Sequence, residues 1–415
     1  MTPFFKPVSF FLLCVFFLQG AFAFSVEAHT QSPILGRWRG VFKLRDSIDV
    51  PFIFEVRKKV SNQLSVFFIN GKEQFEGGVV QLKGDSVHIY IDQFENVMAL
   101  KLEGSDRLSG VLKKQNGSGT PTVLIAERGN KNRFLITSEE PQQNFSGTYQ
   151  VVFRSPTGKI DTTVGVFNQR GTQLAATFLR ITGDSRFLDG VVVGDRFYLS
   201  SFMGSGIAYY EGRFNASGHI EGEQIGAKAS TAFSGMLKKD AALPDAYQLT
   251  LMKPGYFSFD FSFPNLEGGL VSLQDKKFEN KAVVLTIGGS WCPNCMDEAA
   301  FLSAWYNENR ARGVEVVSIH YERSNDTAYA KRGMDRFRNR FGIAYTQVFG
   351  GIADNSVVLS TLPALQTFVA FPTTIFLDRN KKVQAIHTGF SGPATGAFYE
   401  SFKKEFNHHV DEILK

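Results

Sequence analysis

From Ile34 to Lys239 apolar and polar residues alternate in short runs, broken every few positions by Gly, Asn, Asp or Ser. A period of two sends successive side chains to opposite faces of an extended chain, so the pattern predicts half-buried strands joined by tight turns. Eight candidates stand in the first part: GRWRGVFKL, VPFIFEVRK, LSVFFIN, EGGVVQL, SVHIYI, NVMALKLEG, RLSGVLKK and PTVLIAER. The pattern then restarts. Gly36-Arg37-Trp38 is echoed by Gly147-Thr148-Tyr149, and Ile48-Asp49 by Ile160-Asp161. At the latter offset of 112 residues, Ile69, Gly71, Phe75 and Gly78 match Ile181, Gly183, Phe187 and Gly190. Matches that share an offset predict an internal duplication, with β repeats over 34–136 and 143–240.

About eight short strands in each repeat of roughly 100 residues fit a small antiparallel barrel or half of a larger closed sheet. The Gly-x-Trp that opens the first repeat resembles the first strand of lipocalin-like barrels. In the second repeat Tyr149 takes the place of the Trp, and no ligand is carried over from the resemblance. The repeats read as a structural or protein-binding module ahead of a small-molecule pocket, because a fold alone does not specify a function.

Pro244, Pro254 and Gly255 interrupt the strand pattern and mark a linker over 241–255. Beyond it the period changes. KAVVLTIGG and GVEVVSIHY are continuous apolar runs, as strands buried on both faces require, and Pro293 to about Arg312 has helical spacing. A helical DTAYAKRGMDRFRNRF, the strands PTTIFLD and KVQAIHTGF, and an amphipathic helix from about Pro393 complete an α/β layer over 256–415. The repeats are expected to fold independently of this C-terminal part.

A chain of 415 residues exceeds what one core serves, in keeping with several domains. The formal net charge of +5 comes without a dense Lys/Arg run, which gives no reason to expect a nucleic-acid partner. The 41 phenylalanines read as core. At the start, Lys6, the apolar run Val8 to Leu18 and the small-x-small Ala21-Phe22-Ala23 predict a signal peptide over 1–23, removed together with Cys14. An uncleaved anchor is the alternative reading. No later segment is apolar enough to span a membrane, so stable membrane insertion is not expected.

Two cysteines then remain, Cys292 and Cys295, in GGSWCPNCMDE. At i and i+3 on the first turn of a helix, their sulfurs share a face and can reach each other. As a staple the pair closes too short a loop to remove much unfolded-state entropy. As a zinc clip it lacks partners, since structural zinc takes four ligands and His408 and His409 are adjacent on a helix and point apart. Redox chemistry is left. Cys292, at the helix N-terminus, is expected to be the exposed attacking thiolate, and Cys295, one turn deeper, the resolving thiol.

Gly289-Ser290-Trp291-Cys292-Pro293-Asn294-Cys295, followed by Phe371-Pro372-Thr373-Thr374, resembles the TlpA/ResA branch of the thioredoxin superfamily. The resemblance covers about Phe257 to Lys415. It implies a thioredoxin-like C-terminal domain and an exported thiol–disulfide oxidoreductase that reduces protein disulfides. The site would be in the periplasm or cell envelope of a Gram-negative-type bacterium. It also implies that Pro372 is a cis-proline facing the dithiol, that Trp291 and Phe371 help to bind substrate, and that no cofactor is needed beyond the Cys292–Cys295 disulfide. Partners would be disulfide-bearing envelope proteins and a membrane thiol donor. Thioredoxins proper carry a buried Asp six residues before the first Cys; Thr286 stands there instead. Glu298, three residues after Cys295, matches a Glu common in this branch and could take the resolving thiol's proton. Asp297 points to another face and reads as a partner of the helix dipole. One alternative is a peroxiredoxin-like peroxidase, which expects Pro and Thr seven and three residues before its reactive Cys; for Cys292 those positions hold Leu285 and Gly289. Another is an envelope-binding protein whose β repeats carry the function.

Overall fold

The alternating runs become strands at the predicted places. The structure is a computed structural model that describes residues 1–2, 32–45, 48–135 and 139–415. The signal segment with Cys14 lies outside the described residues, apart from its first two. In the first repeat, β1 (Gly36–Lys43), β2 (Asp49–Lys58), β3 (Leu64–Asn70), β4 (Glu73–Lys83), β5 (Ser86–Ile91), β6 (Asn96–Glu103), β7 (Arg107–Lys114) and β8 (Thr122–Arg128) pair in chain order. β8 returns antiparallel to β1 and closes the barrel.

The second repeat supplies β9 (Gly147–Arg154), β10 (Ile160–Arg170), β11 (Gln173–Arg180), β12 (Gly183–Asp184), β13 (Leu188–Val193), β14 (Arg196–Ser201), β15 (Ala208–Phe214), β16 (Ile220–Ile225) and β17 (Ser230–Leu237). β17 pairs with β9 and β10 with β11, so this sheet closes too, and β12 is a two-residue spur on the end of β11. Both barrels are locked at the same point. Trp38 donates its indole N–H to the Ile34 carbonyl at 3.0 Å, and Tyr149, its counterpart, donates its hydroxyl to the Phe145 carbonyl at 3.0 Å. Tyr in place of Trp keeps the bond.

Eight strands leave an interior just wide enough for side chains, and aromatics fill it. Trp38, Phe42, Phe52, Phe54 and Phe68 occupy the first barrel, and Phe153, Phe167, Phe178, Phe197 and Phe233 the second. The interiors are cores rather than ligand cavities. Between the barrels, Phe202 of the second repeat inserts against Phe42, Phe52 and Phe68 of the first, with ring centroids 4.7, 5.2 and 4.9 Å away. Burial of one such ring is worth about 1.5–3 kcal/mol. The buried guanidinium of Arg133 bonds Asn70 Oδ1 in one barrel at 3.0 Å and Ser200 Oγ in the other at 3.2 Å.

In the C-terminal part, a short hairpin of β18 (Ser262–Pro264) and β19 (Leu270–Ser272) precedes the main sheet. That sheet comprises β20 (Ala282–Gly288), β21 (Val314–Glu322), β22 (Thr346–Ile352), β23 (Thr373–Leu377) and β24 (Val383–Thr388) in the order β22-β21-β20-β23-β24. β20, β21 and β22 run parallel, while β23 and β24 are antiparallel additions. Helices α1 (Pro293–Asn309), α2 (Thr327–Phe341), α3 (Asn355–Thr361) and α4 (Ala397–Leu414) complete a thioredoxin-like domain. β22 and α3 were not anticipated: TQVFGGI is glycine-interrupted, and seven residues are too few for a helical period to stand out. Both barrels and this domain fall in one compact unit, Ile34–Lys415. No helix among the described residues is long and apolar enough to cross a membrane.

Candidate active site

β20 is buried along its whole length and delivers the chain to Gly288 beside α1. Pro293 occupies the first turn of that helix, where its missing N–H costs nothing and its fixed φ suits the helix. Cys292 is the N-cap, and its Sγ accepts the N–H of Cys295 at 3.3 Å. Cys292 and Cys295 form a disulfide with a Cα–Cα separation of 5.2 Å. When the bond is open, the free N–H groups of the first turn favour a thiolate at Cys292.

The expected exposure of Cys292 is not observed: it is 5% exposed and Cys295 4%. The barrels account for this. Gln93 of the first barrel donates to the Ser290 carbonyl at 2.5 Å, and Arg186 of the second donates to the Pro293 carbonyl at 2.9 Å. Gly183, at φ +129°, lies so close to Asn294 that a Cβ there would overlap its side chain. The two sulfurs therefore differ in what they face rather than in exposure. Cys292 Sγ lies 3.9 Å from the Phe371 carbonyl oxygen, on the side of the cis Phe371–Pro372 bond. Phe371 stacks edge-on against Trp291 at 5.8 Å, and the Trp291 indole N–H is held by the Tyr321 carbonyl at 2.9 Å. Beside Asn294 a cleft of about 330 Å³ opens at the mouth of the second barrel, lined by polar groups such as Lys159, Arg180 and Gln224.

Cys295 faces inward. Together with Glu298, His320, Thr286 and Tyr345 it lines a cavity of about 10 Å³, room for one water. Glu298 is 4% exposed and accepts the Thr374 hydroxyl at 2.6 Å. Burial pushes its carboxyl up to about 7, with the Thr374 bond opposing, so it can carry or release a proton near neutrality. Thr286 makes only a hydroxyl contact, 3.1 Å to Ser318, and offers no acid–base group.

Three features were not anticipated. Asp297 is no solvated dipole partner: its side chain is 14% exposed, and it pairs with Arg186 at 2.6 Å. Arg186 also reaches Glu73 of the first barrel at 2.5 Å, so one guanidinium ties both repeats to α1. Burial raises Asp297 to about 7, opposed by Arg186 and reinforced by Asp184 and Glu73. Below the dithiol turn, Glu322 accepts the Ser290 N–H at 2.9 Å and the Ser290 hydroxyl at 2.8 Å, and His320 Nδ1 lies 3.4 Å from the same carboxylate. A sequence signal for that pair did exist. In VEVVSIHYE, His320 and Glu322 are two apart and share a face of an otherwise apolar strand.

The comparisons with known proteins fall on the same region. The AhpC/TSA family profile matches residues 255–386. The thiol-disulfide oxidoreductase ResA of Halalkalibacterium halodurans is 25% identical over 140 residues, which cover 34% of this chain and 71% of that protein. ResA of Geobacillus thermodenitrificans is 29% identical over 140 residues, covering 34% and 72%. Among solved structures, a DsbF homologue from Corynebacterium diphtheriae matches 41% of this chain and 97% of its own at 20% identity, with a TM-score of 0.30. In sequence the C-terminal region is similar to thioredoxin-like thiol-disulfide oxidoreductases. The relatives named here are ResA proteins, so the likeness is to the TlpA/ResA type.

Proposed function

We propose that the chain is an exported thiol–disulfide oxidoreductase that reduces protein disulfides in a cell envelope through Cys292 and Cys295 and is recharged by a membrane thiol donor. The observation that carries this reading is the Cys292–Cys295 disulfide at the N-terminus of α1, opposite the cis Phe371–Pro372 bond and backed by buried Glu298. In the reduced protein the Cys292 thiolate attacks a substrate disulfide, forming a mixed disulfide and releasing one substrate thiolate. Cys295 then gives up its proton, attacks Cys292 Sγ and expels the second substrate thiolate. Trp291 and Phe371 flank the point of attack. The cleft beside Asn294 offers a polar trough for the chain on either side of the substrate disulfide.

The test is a trapping experiment. Cys295→Ser should accumulate mixed disulfides with envelope proteins and Cys292→Ser should not; the reverse pattern overturns the roles. A measured potential near −120 mV, on the order of that of a strong oxidant such as DsbA, would reverse the direction. The AhpC/TSA match favours a second reading, a peroxidase. Leu285 and Gly289 occupy the positions where that chemistry needs Pro and Thr, and Leu285 is fully buried in the sheet. Consumption of hydrogen peroxide by the Cys292→Ser variant at the wild-type rate would exclude Cys292 as a peroxidatic residue.

A further inference from the structure

The polar groups beneath the dithiol form a chain that the two-thiol mechanism leaves unused. Ser290, two residues before Cys292, is anchored through both its N–H and its hydroxyl to Glu322. His320 Nδ1 faces Glu322 at 3.4 Å, and its Nε2 lies 2.9 Å from Gln347 Nε2. His320 is 1% exposed, Glu322 1% and Gln347 5%. Gln347 Oε1 is buried and, among the described residues, has no hydrogen-bond partner. An orphaned buried carbonyl forfeits its hydration without return, so its presence needs a reason.

The imidazole has two fully bonded states. With neutral imidazole, Nδ1–H donates to Glu322 and Nε2 accepts from the Gln347 amide. With imidazolium, both ring N–H groups donate, and a half-turn of the Gln347 amide brings the orphaned Oε1 to Nε2 while Glu322 balances the charge. The titratable groups that share the cavity wall with His320 are Cys295 and Glu298 from α1 and Tyr345 from the approach to β22; Phe337 of α2 closes it with an edge-on ring at 5.3 Å.

We propose that His320 and Glu322 are a proton-holding, positioning pair for the dithiol. The pair fixes the Ser290–Cys292 turn through Ser290 and accepts, by way of the cavity, the proton that Cys295 loses on resolution. This rests on the oxidoreductase reading above. Cys295 passes its proton to Glu298; its thiolate attacks Cys292 Sγ, the Cys292–Cys295 bond forms, the bond to substrate sulfur breaks, and the substrate thiolate takes a proton from solvent. The Gln347 amide turns away from His320 Nε2 and frees its lone pair, which takes the proton of neutral Glu298 through one water; the new N–H then donates to Gln347 Oε1. Glu298 is then a carboxylate again, and when a thiol donor reduces the disulfide the imidazolium returns its proton by the same route to the Cys295 thiolate, which closes the cycle.

Two measurements on the full chain test the proposal. His320→Gln keeps a donor toward Glu322 but cannot store a proton; the resolution rate at pH 7 should fall about tenfold, less than the direct acid–base range, and its profile between pH 5 and 9 should lose one ionisation. Glu322→Gln, which keeps an acceptor for Ser290 but removes the counter-charge, should give the same altered profile. Without any substitution, ¹⁵N-histidine NMR should show the His320 Nδ1–H tautomer at high pH, and a titration midpoint that moves when dithiothreitol reduces the disulfide. An unchanged pH profile in His320→Gln, or a His320 titration identical in both redox states, overturns the pair's role. The two readings fail separately: if wild type does not cycle between dithiothreitol and oxidised glutathione, the oxidoreductase reading itself falls. If it cycles and the variants match it, only the pair is lost.

Discussion

The turn at Gly71 and its counterpart at Gly183, 112 residues on, do different things. Gly71 joins β3 to β4 at φ +57° with open space on its Cβ side, an ordinary left-handed turn residue. Gly183 sits in the spur β12, pressed against Asn294 between the two cysteines, and its carboxylate neighbour Asp184 accepts the Gly392 N–H at 2.6 Å. Three residues on, exposed Gln74 of the first repeat corresponds to Arg186, which grips Asp297, the Pro293 carbonyl and Glu73. The two positions match at the offset of 112, yet one is an open turn and the other clamps α1.

The largest effect that would break this contrast is at the clamp. Arg186→Met leaves Glu73 and Asp297 buried without their cation and should cost about 3–5 kcal/mol in urea denaturation. Its counterpart Gln74→Met should cost no more than about 0.5 kcal/mol, as surface changes do. Equal losses would mean that the two turns are equivalent after all. In Arg186→Met the reduced Cys292 should also react faster with iodoacetamide, since a cover is loosened.

A buried carboxylate away from both turns sharpens the comparison. Glu298 has its folded ionisation raised from 4.5 to about 7, so the folded state holds the proton more tightly than the unfolded. That contribution is present at acid pH and is lost as pH rises from about 4.5 to about 7. Glu298→Gln should therefore be more stable than wild type at pH 8, by on the order of 3 kcal/mol, with no difference near pH 4. It should also resolve mixed disulfides more slowly. A stopped-flow comparison reads the second effect and thermal melts across pH the first. If barrel contacts alone governed this helix, neither would change.

Smaller effects separate the two glycines and the two locks. Gly183→Ala should cost about 2–3 kcal/mol, through overpacking against Asn294 and an unfavourable φ, whereas Gly71→Ala should cost about 1 kcal/mol for the left-handed turn alone. Tyr149→Phe removes only the hydroxyl bond to Phe145 and should cost about 1 kcal/mol. A null effect there would mean that the bond shared with Trp38 is incidental to closure.

Much of this was legible in the residues. Period-two runs such as GRWRGVFK and SVHIYI fix strands locally, and matches at one offset pointed to two β repeats, where the structure has two closed barrels. The Cys292–Cys295 spacing and Phe371-Pro372 announced a dithiol facing a special peptide bond. What stayed hidden depends on distance along the chain. Arg186 and Glu73 are 113 residues apart, and nothing in their neighbours says that they meet at Asp297. The burial of Cys292 was missed for the same reason, because it is imposed by Gln93 and Arg186 from other parts of the chain. Glu298 could be singled out because Cys295 stands one turn away on the same helix.

Barrel closure also bears on which parts of the molecule can pair with another chain. An extended segment of another chain with unpaired backbone can be captured at an open sheet border by strand addition. Among the described residues the barrels leave no such border beyond the two-residue spur β12. The catalytic sheet has two, at β22 and β24, and the chain blunts both: Val383 donates to the Phe257 carbonyl at 2.9 Å, Phe259 to Lys381 at 3.1 Å, and Asn265 bridges to Val348. With those borders occupied from within, an extended segment of another chain finds little free backbone there to pair with.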